Sequence, residues 1–136
     1  MTYYLLDTSA LLTLRDNESG AEQVAELLYQ AASGEVNGLI CFISLMEVLY
    51  RVWKDEGEQE GRLAFEQVHS LPLTIIHESA ALLEKAAAIK ATHRLSLADA
   101  WIGAAALLEG ATLVHKDPEF DCLQCLQMPL PYKEKK

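Results

Sequence analysis

Four short apolar segments constrain this chain more than any other feature: Tyr3-Tyr4-Leu5-Leu6, Leu39 to Phe42, Leu73 to Ile76 after Pro72, and Thr112-Leu113-Val114. Each has the length and the aliphatic or aromatic content of a buried strand. The stretches between them are long enough for two helices apiece. Thr8 to Leu14 supplies a turn or two, and Glu18 to Ala32 carries Val24, Leu27, Leu28 and Ala31 at helical spacing with Gly34 as its stop. Ser44 opens a helix whose apolar positions are Met46, Val48, Leu49, Val52 and Trp53; Gly57 interrupts it, and Arg62 to Val68 continues as another. Ser79 to Ala91 is helical and Ala-rich, and Ser96 caps a helix that runs through Leu108 and ends at Gly110. Met128 to Leu130 offers a fifth strand, at a sheet edge where Pro129 is tolerable. Strands separated by helix pairs need crossover connections, and crossovers produce a parallel sheet covered on both faces. The expected fold is α/β, a three-layer α/β/α sandwich around a mostly parallel four- to five-stranded sheet.

At 136 residues and 51% apolar content the chain can fill one core and has no room for a second. The expected organisation is a single domain over residues 1–132, followed by the charged tail Lys133-Glu134-Lys135-Lys136. The longest apolar run, Ala100 to Leu108, falls far short of the ~20 residues a membrane helix requires. The N-terminus lacks a basic segment and reaches Asp7 early, so no secretory leader and a cytoplasmic location are expected. Three cysteines, Cys41, Cys122 and Cys125, are an odd number that suits a reducing compartment. Cys122 and Cys125 form a C-x-x-C, but no second pair or nearby His pair completes a zinc site, and both read as ordinary thiols.

The net charge of −9 is uneven: residues 1–60 hold 3 basic and 11 acidic residues, residues 61–136 hold 8 and 9. Proteins that bind nucleic acid directly draw affinity from a basic face. A chain without one that acts on a polyanion needs bound cations or a basic partner.

In an open parallel sheet, the carboxyl ends of the strands and the N-termini of the following helices share one edge, and ligands bind there. Four acids fall on it: Asp7 after the first strand, Glu47 in the first turn after the second, Asp99 in the first turn opened by Ser96, and Asp117 after the fourth. Each has an ordinary local explanation. Ser44-x-x-Glu47 matches a capping box and Ser96-x-x-Asp99 a weaker one, Asp117-Pro118 is a common turn pair, and Asp7 suits a helix cap. Together they repel, and a hard cation such as Mg²⁺ or Mn²⁺ is the usual remedy for an all-oxygen cluster. Such a site supports in-line displacement at phosphorus.

Leu5-Leu6-Asp7-Thr8-Ser9-Ala10-Leu11-Leu12 resembles the opening motif of PIN-domain nucleases, and Ser44-Leu45-Met46-Glu47 is similar to their second acidic motif. Leu97-Ala98-Asp99-Ala100-Trp101-Ile102-Gly103-Ala104-Ala105-Ala106 resembles the third, and Leu113-Val114-His115-Lys116-Asp117-Pro118-Glu119-Phe120 the fourth. The resemblance spans residue 3 to about 120, and a single-domain chain of this size looks most like the VapC-type toxins of toxin–antitoxin pairs. It implies a Mg²⁺- or Mn²⁺-dependent endoribonuclease leaving 5′-phosphate and 3′-hydroxyl ends, a homodimer, and a cognate antitoxin whose basic segment reaches the acidic site. Carried over by motif, Asp7, Glu47, Asp99 and Asp117 would be the metal-binding acids, with Asp7 and Asp99 as the central pair and Glu119 as a marginal fifth. Thr8 and Ser9 would orient Asp7 or contact substrate.

One departure stands out: the family usually has Thr or Ser where this chain has His115. The ring either orients a carboxylate or contacts the scissile phosphate, or it is a partly buried strand-end histidine. His69, His77 and His93 have no ligand spacing, and Leu49, Tyr50 and Trp53 read as core or as an interface surface. The alternative to a nuclease is a catalytically weak PIN-like module that binds RNA or protein. A phosphorylated receiver domain is disfavoured because no acid ends the third strand, and a dehalogenase-type phosphatase because Asp7-Thr8-Ser9 lacks the D-x-D.

Overall fold

The computed structural model describes residues 1–132. Its strands are β1 (Tyr3–Leu6), β2 (Asn37–Cys41), β3 (Thr74–Ile76), β4 (Thr112–His115) and β5 (Gln127–Pro129). Its helices are α1 (Thr8–Arg15), α2 (Ala21–Ala32), α3 (Phe42–Glu56), α4 (Glu58–His69), α5 (Ala80–Thr92) and α6 (Leu97–Glu109). The strands form one sheet in the order β3-β2-β1-β4-β5, with every neighbouring pair parallel. This is the α/β class expected from the alternation of strands and helix pairs, with the fifth strand at an edge.

The register explains the layering. Leu5 lies beside Leu39 and Leu113, and Leu6 beside Ile40 and Val114. Successive strand residues face opposite sides, so Leu5, Leu39 and Leu113 pack into one core with Leu82, Ala86, Ile102 and Phe120. Leu6, Ile40 and Val114 pack into the other with Leu11, Val24, Val48 and Ala64. Helices α5 and α6 cover the first face; α1 to α4 cover the second. α6 is buried along Ala100 to Ala106 apart from half-buried Trp101. Its small side chains let it lie close to its neighbours: a Cβ on Gly103 would sit 2.4 Å from Leu123 Cδ1.

Three local departures from the sequence reading bear on the site. The helix after β2 begins at Phe42, directly off the strand, so Ser44 does not open it. Ser44 lies in the first turn with its side chain fully buried, and the capping-box reading of Ser44 and Glu47 gives way to a tertiary contact. α4 starts at Glu58, immediately after Gly57, rather than at Arg62. A 3₁₀ turn over Pro118–Cys122, absent from the sequence reading, follows β4. The tail Lys133 to Lys136 lies outside the described residues.

β1 is the switch point of the topology: the chain builds outward to β2 and β3 on one side, then returns to build β4 and β5 on the other. In open α/β sheets the crevice beyond the strand ends at such a point is where ligands bind. Asp7 follows β1, and Asp117 follows β4 by two residues.

Candidate active site

Asp7 is 4% exposed and caps α1. Its Oδ2 accepts from the Ser9 N–H at 3.1 Å and from the Ser9 hydroxyl. Its other oxygen, Oδ1, is buried with no hydrogen-bond partner among the described residues. Ser9 Oγ in turn accepts from the Lys116 backbone N–H at 2.9 Å, which ties the end of β1 to the end of β4. Thr8 is also buried; its hydroxyl donates to Glu47 Oε1 at 2.7 Å and shares a 3.0 Å hydrogen bond with Ser44 Oγ. That contact brings α3 against the start of α1.

The other two acids arrive from α6 and β4. Ser96 caps α6 by accepting the Asp99 N–H at 3.1 Å, which sets Asp99 in the first turn. Asp117 Oδ1 accepts from the Glu119 N–H at 2.9 Å, holding the 3₁₀ turn, while the Asp117 N–H donates to His115 Nδ1 at 3.1 Å.

Asp7, Glu47, Asp99 and Asp117 line one cleft of about 680 Å³, together with Asp16, Glu18, Asp55 and Glu56. Among the described residues the tightest carboxylate group is Asp99, Asp117 and Glu119, whose oxygens lie within 4.8 Å of one another. Asp7 and Glu47 stand outside that triplet but act on it through their charge. Burial, then the charges of Asp7, Asp117 and Glu47, push Asp99 up to about 7. Burial also raises Asp7, against the lowering effect of its Ser9 hydrogen bonds. Asp7 and Asp99 are therefore held where burial outweighs the donors that support their charge.

The cations lining this cleft do little to relieve them. Arg15 is committed to Glu56, with contacts of 2.7 and 3.2 Å, and to Asp16 at 2.9 Å. Lys116 Nζ, on a side chain only 6% exposed, lies 3.5 Å from Glu18 Oε1. Arg51 is exposed on α3. An orphaned oxygen on Asp7, in a cleft also lined by Glu47, Asp99 and Asp117, fits a hard, oxygen-preferring divalent cation, and no cysteine or histidine among the described lining residues invites a softer one.

The sequence profile of the PIN domain matches residues 4–123, most of the chain. The chain belongs to the PIN domain family. No functionally curated protein matches it by sequence. Solved structures similar to it include the VapBC2 complex of Rickettsia felis bound to a promoter DNA fragment, at 20% identity and a TM-score of 0.76 over 96% of this chain and 100% of that one. A toxin–antitoxin complex from Klebsiella pneumoniae is 26% identical, with a TM-score of 0.65 over 93% and 97%. A VapC toxin of Mycobacterium tuberculosis, described as cleaving the sarcin-ricin loop, is 17% identical with a TM-score of 0.70 over 90% and 96%.

In this PIN domain the four acids read from the sequence share a cleft, and Glu119, outside its lining, lies close to Asp99 and Asp117. Its signal was the D-P-E order, since a 3₁₀ turn puts the second acid beside the first. Thr8 and Ser9 engage carboxylates directly, Thr8 that of Glu47 and Ser9 that of Asp7. His115 has none of its surface exposed and both ring nitrogens occupied, so the reading in which it touches a phosphate gives way to one in which it holds the Asp117 backbone. Lys116 and Gln127 were not singled out by sequence reasoning. Cys122 and Cys125 are free thiols, the first exposed and the second half-buried.

Proposed function

We propose that this PIN domain is a Mg²⁺- or Mn²⁺-dependent endoribonuclease, the toxin of a toxin–antitoxin pair that works as a homodimer. The observation that carries the reading is the buried, unpartnered Oδ1 of Asp7, whose residue lines one cleft with Glu47, Asp99 and Asp117. The resemblance to VapC toxins in fold, over nearly the whole of both chains, supports it. The toxin–antitoxin complexes among those structures favour a protein antitoxin as partner. Net charge favours a basic segment in that antitoxin, one that meets the acidic cleft.

Asp7, Asp99, Asp117 and Glu47 would hold the cation, with Glu119 beside them. When bound, it supplies Lewis acidity toward a phosphodiester and cancels the carboxylate repulsion. The chain's own residues do the positioning. Ser9 locks one Asp7 oxygen and leaves the other free. Thr8 fixes one oxygen of Glu47, and the 3₁₀ turn fixes one of Asp117. The near-buried Lys116 ammonium stands at the cleft wall, where a phosphate drawn in would find the least exposed positive charge of the site.

The test is cleavage of end-labelled RNA by the purified chain with Mg²⁺ or Mn²⁺, with chelator, and as Asp99→Asn. Cleavage lost in chelator and in the variant is expected. RNA or antitoxin binding without metal-dependent cleavage would leave the chain a docking module.

A further inference from the structure

We infer that Gln127 is a positioning residue for Asp117, acting through the ring of His115. The inference rests on the reading of Asp117 as a cation-holding carboxylate. Gln127 opens β5 and is half-buried. Its Nε2 donates to the Phe120 carbonyl at 2.7 Å and to the Leu123 carbonyl at 3.2 Å. Carbonyls only accept, so that end of the amide is fixed as the NH₂ end, and Oε1 is the atom 2.8 Å from His115 Nε2. An amide oxygen also only accepts, so His115 Nε2 carries the hydrogen. A neutral ring then presents Nδ1 as an acceptor, and the Asp117 N–H donates to it at 3.1 Å.

Every donor and acceptor along Gln127, His115 and Asp117 therefore follows from the two backbone carbonyls that anchor the amide. The ring packs against Phe120, tilted at 56° with centroids 5.0 Å apart, and against Tyr132, stacked at 6.4 Å. The same amide grips the 3₁₀ turn at Phe120 and just beyond it at Leu123, while the ring grips its start at Asp117. One side chain thus sets both ends of the turn that presents Asp117 and Glu119 to Asp99. Outer partners that fix a ligand's orientation in this way commonly matter about 10–100-fold in metal affinity.

The test is Mn²⁺ calorimetry on the full chain, paired with nitrogen NMR of the His115 ring, on wild type, Gln127→Leu, Gln127→Glu and Asp117→Asn. The wild-type ring is expected to show the Nε2–H tautomer. Gln127→Leu is expected to lose that single signature and to bind Mn²⁺ roughly tenfold more weakly. Gln127→Glu keeps an acceptor for the ring, and so the tautomer, but loses both donations to the Phe120 and Leu123 carbonyls and should also weaken Mn²⁺ binding. If the residue acts through the ring, Gln127→Leu costs clearly less in a His115→Thr background, where only its grip on the Phe120 and Leu123 carbonyls is left to lose. Unchanged affinity in a Gln127→Leu protein that melts like wild type overturns the inference, as does an undiminished loss in the His115→Thr background. Asp117→Asn binding Mn²⁺ as tightly as wild type would instead overturn the reading of the site beneath it.

Discussion

The Thr8 hydroxyl and Glu47 Oε1 lie 2.7 Å apart although 39 positions separate them in sequence. The hydroxyl is buried, and Ser44 Oγ shares it at 3.0 Å, so the start of α1 and the first turns of α3 meet on polar groups rather than apolar ones. Thr8→Val leaves Ser44 without this partner and frees Glu47 to swing. We expect a stability loss of about 1–3 kcal/mol, the range for a buried polar group left unpaired, and Mn²⁺ binding weakened about tenfold. Thr8→Ser should restore most of both. Urea melts and calorimetry on the two variants decide it, and a Thr8→Val protein with wild-type affinity would remove Thr8 from the site's construction.

Asp7→Asn should raise the stability of the metal-free protein while abolishing its metal binding. Burial raises the Asp7 pKa, so ionising this carboxyl in the folded state carries a cost the unfolded chain escapes. An Asn oxygen still accepts the Ser9 N–H, and the charge is gone. The loss of Mn²⁺ affinity should exceed the roughly 100-fold that an outer partner costs. A variant less stable than wild type in chelator would mean that Asp7 serves the fold rather than the cleft.

The pH dependence follows from Asp99, whose carboxyl stands at about 7, raised above its ordinary value. For an acid raised on folding, the unfolded chain releases its proton first as pH rises. Stability from this group is therefore whole below about pH 4 and is lost progressively towards pH 7, with nothing further lost above. In chelator the melting temperature should fall between about pH 4 and 7 and level off above, and the fall should be less steep in Asp99→Asn. Mn²⁺ affinity should move the opposite way, rising with pH, because the ligand must be deprotonated. Parallel melts and titrations across that range would expose an error in either sign.

Gly61→Ala tests how closely α3 and α4 are joined. A Cβ there would lie 2.8 Å from Trp53 Cβ and 2.9 Å from both Trp53 Cα and the Leu49 carbonyl oxygen. Helix propensity alone favours Ala by about 1 kcal/mol, whereas separating two packed backbones costs about 1–3 kcal/mol. The clash is with main chain and should win, so a net loss is expected in thermal denaturation. A gain would mean that the two helices slide apart freely.

What could be read from the sequence is what local chemistry decides. Asp7 shows because an apolar run must end where it meets a charge, and Ser96 shows because its hydroxyl closes a cap three residues on, at the Asp99 N–H. Ser44 and Glu47 mislead for the same reason. Their spacing satisfies a local rule, but β2 runs straight into α3 at Cys41, and the serine is drawn to a hydroxyl 36 positions away. The fate of His115 depends on Gln127 and Phe120 arriving from beyond the strand, and nothing beside it in the chain announces either. Glu119 was readable as an acid near an acid; that it joins Asp99 needed the turn.

The pairing of β1 with β4 also has a temporal side. Asp7 leaves a ribosome well before β4 does, so its strand gains its second neighbour, and Ser9 its contact at Lys116, only after the 107 positions between those two residues have been made. A growing chain therefore carries Asp7 and Glu47 for a time without Asp99 and Asp117 to complete the cluster. Its assembly waits on the slow closure of long-range contacts that parallel pairing demands.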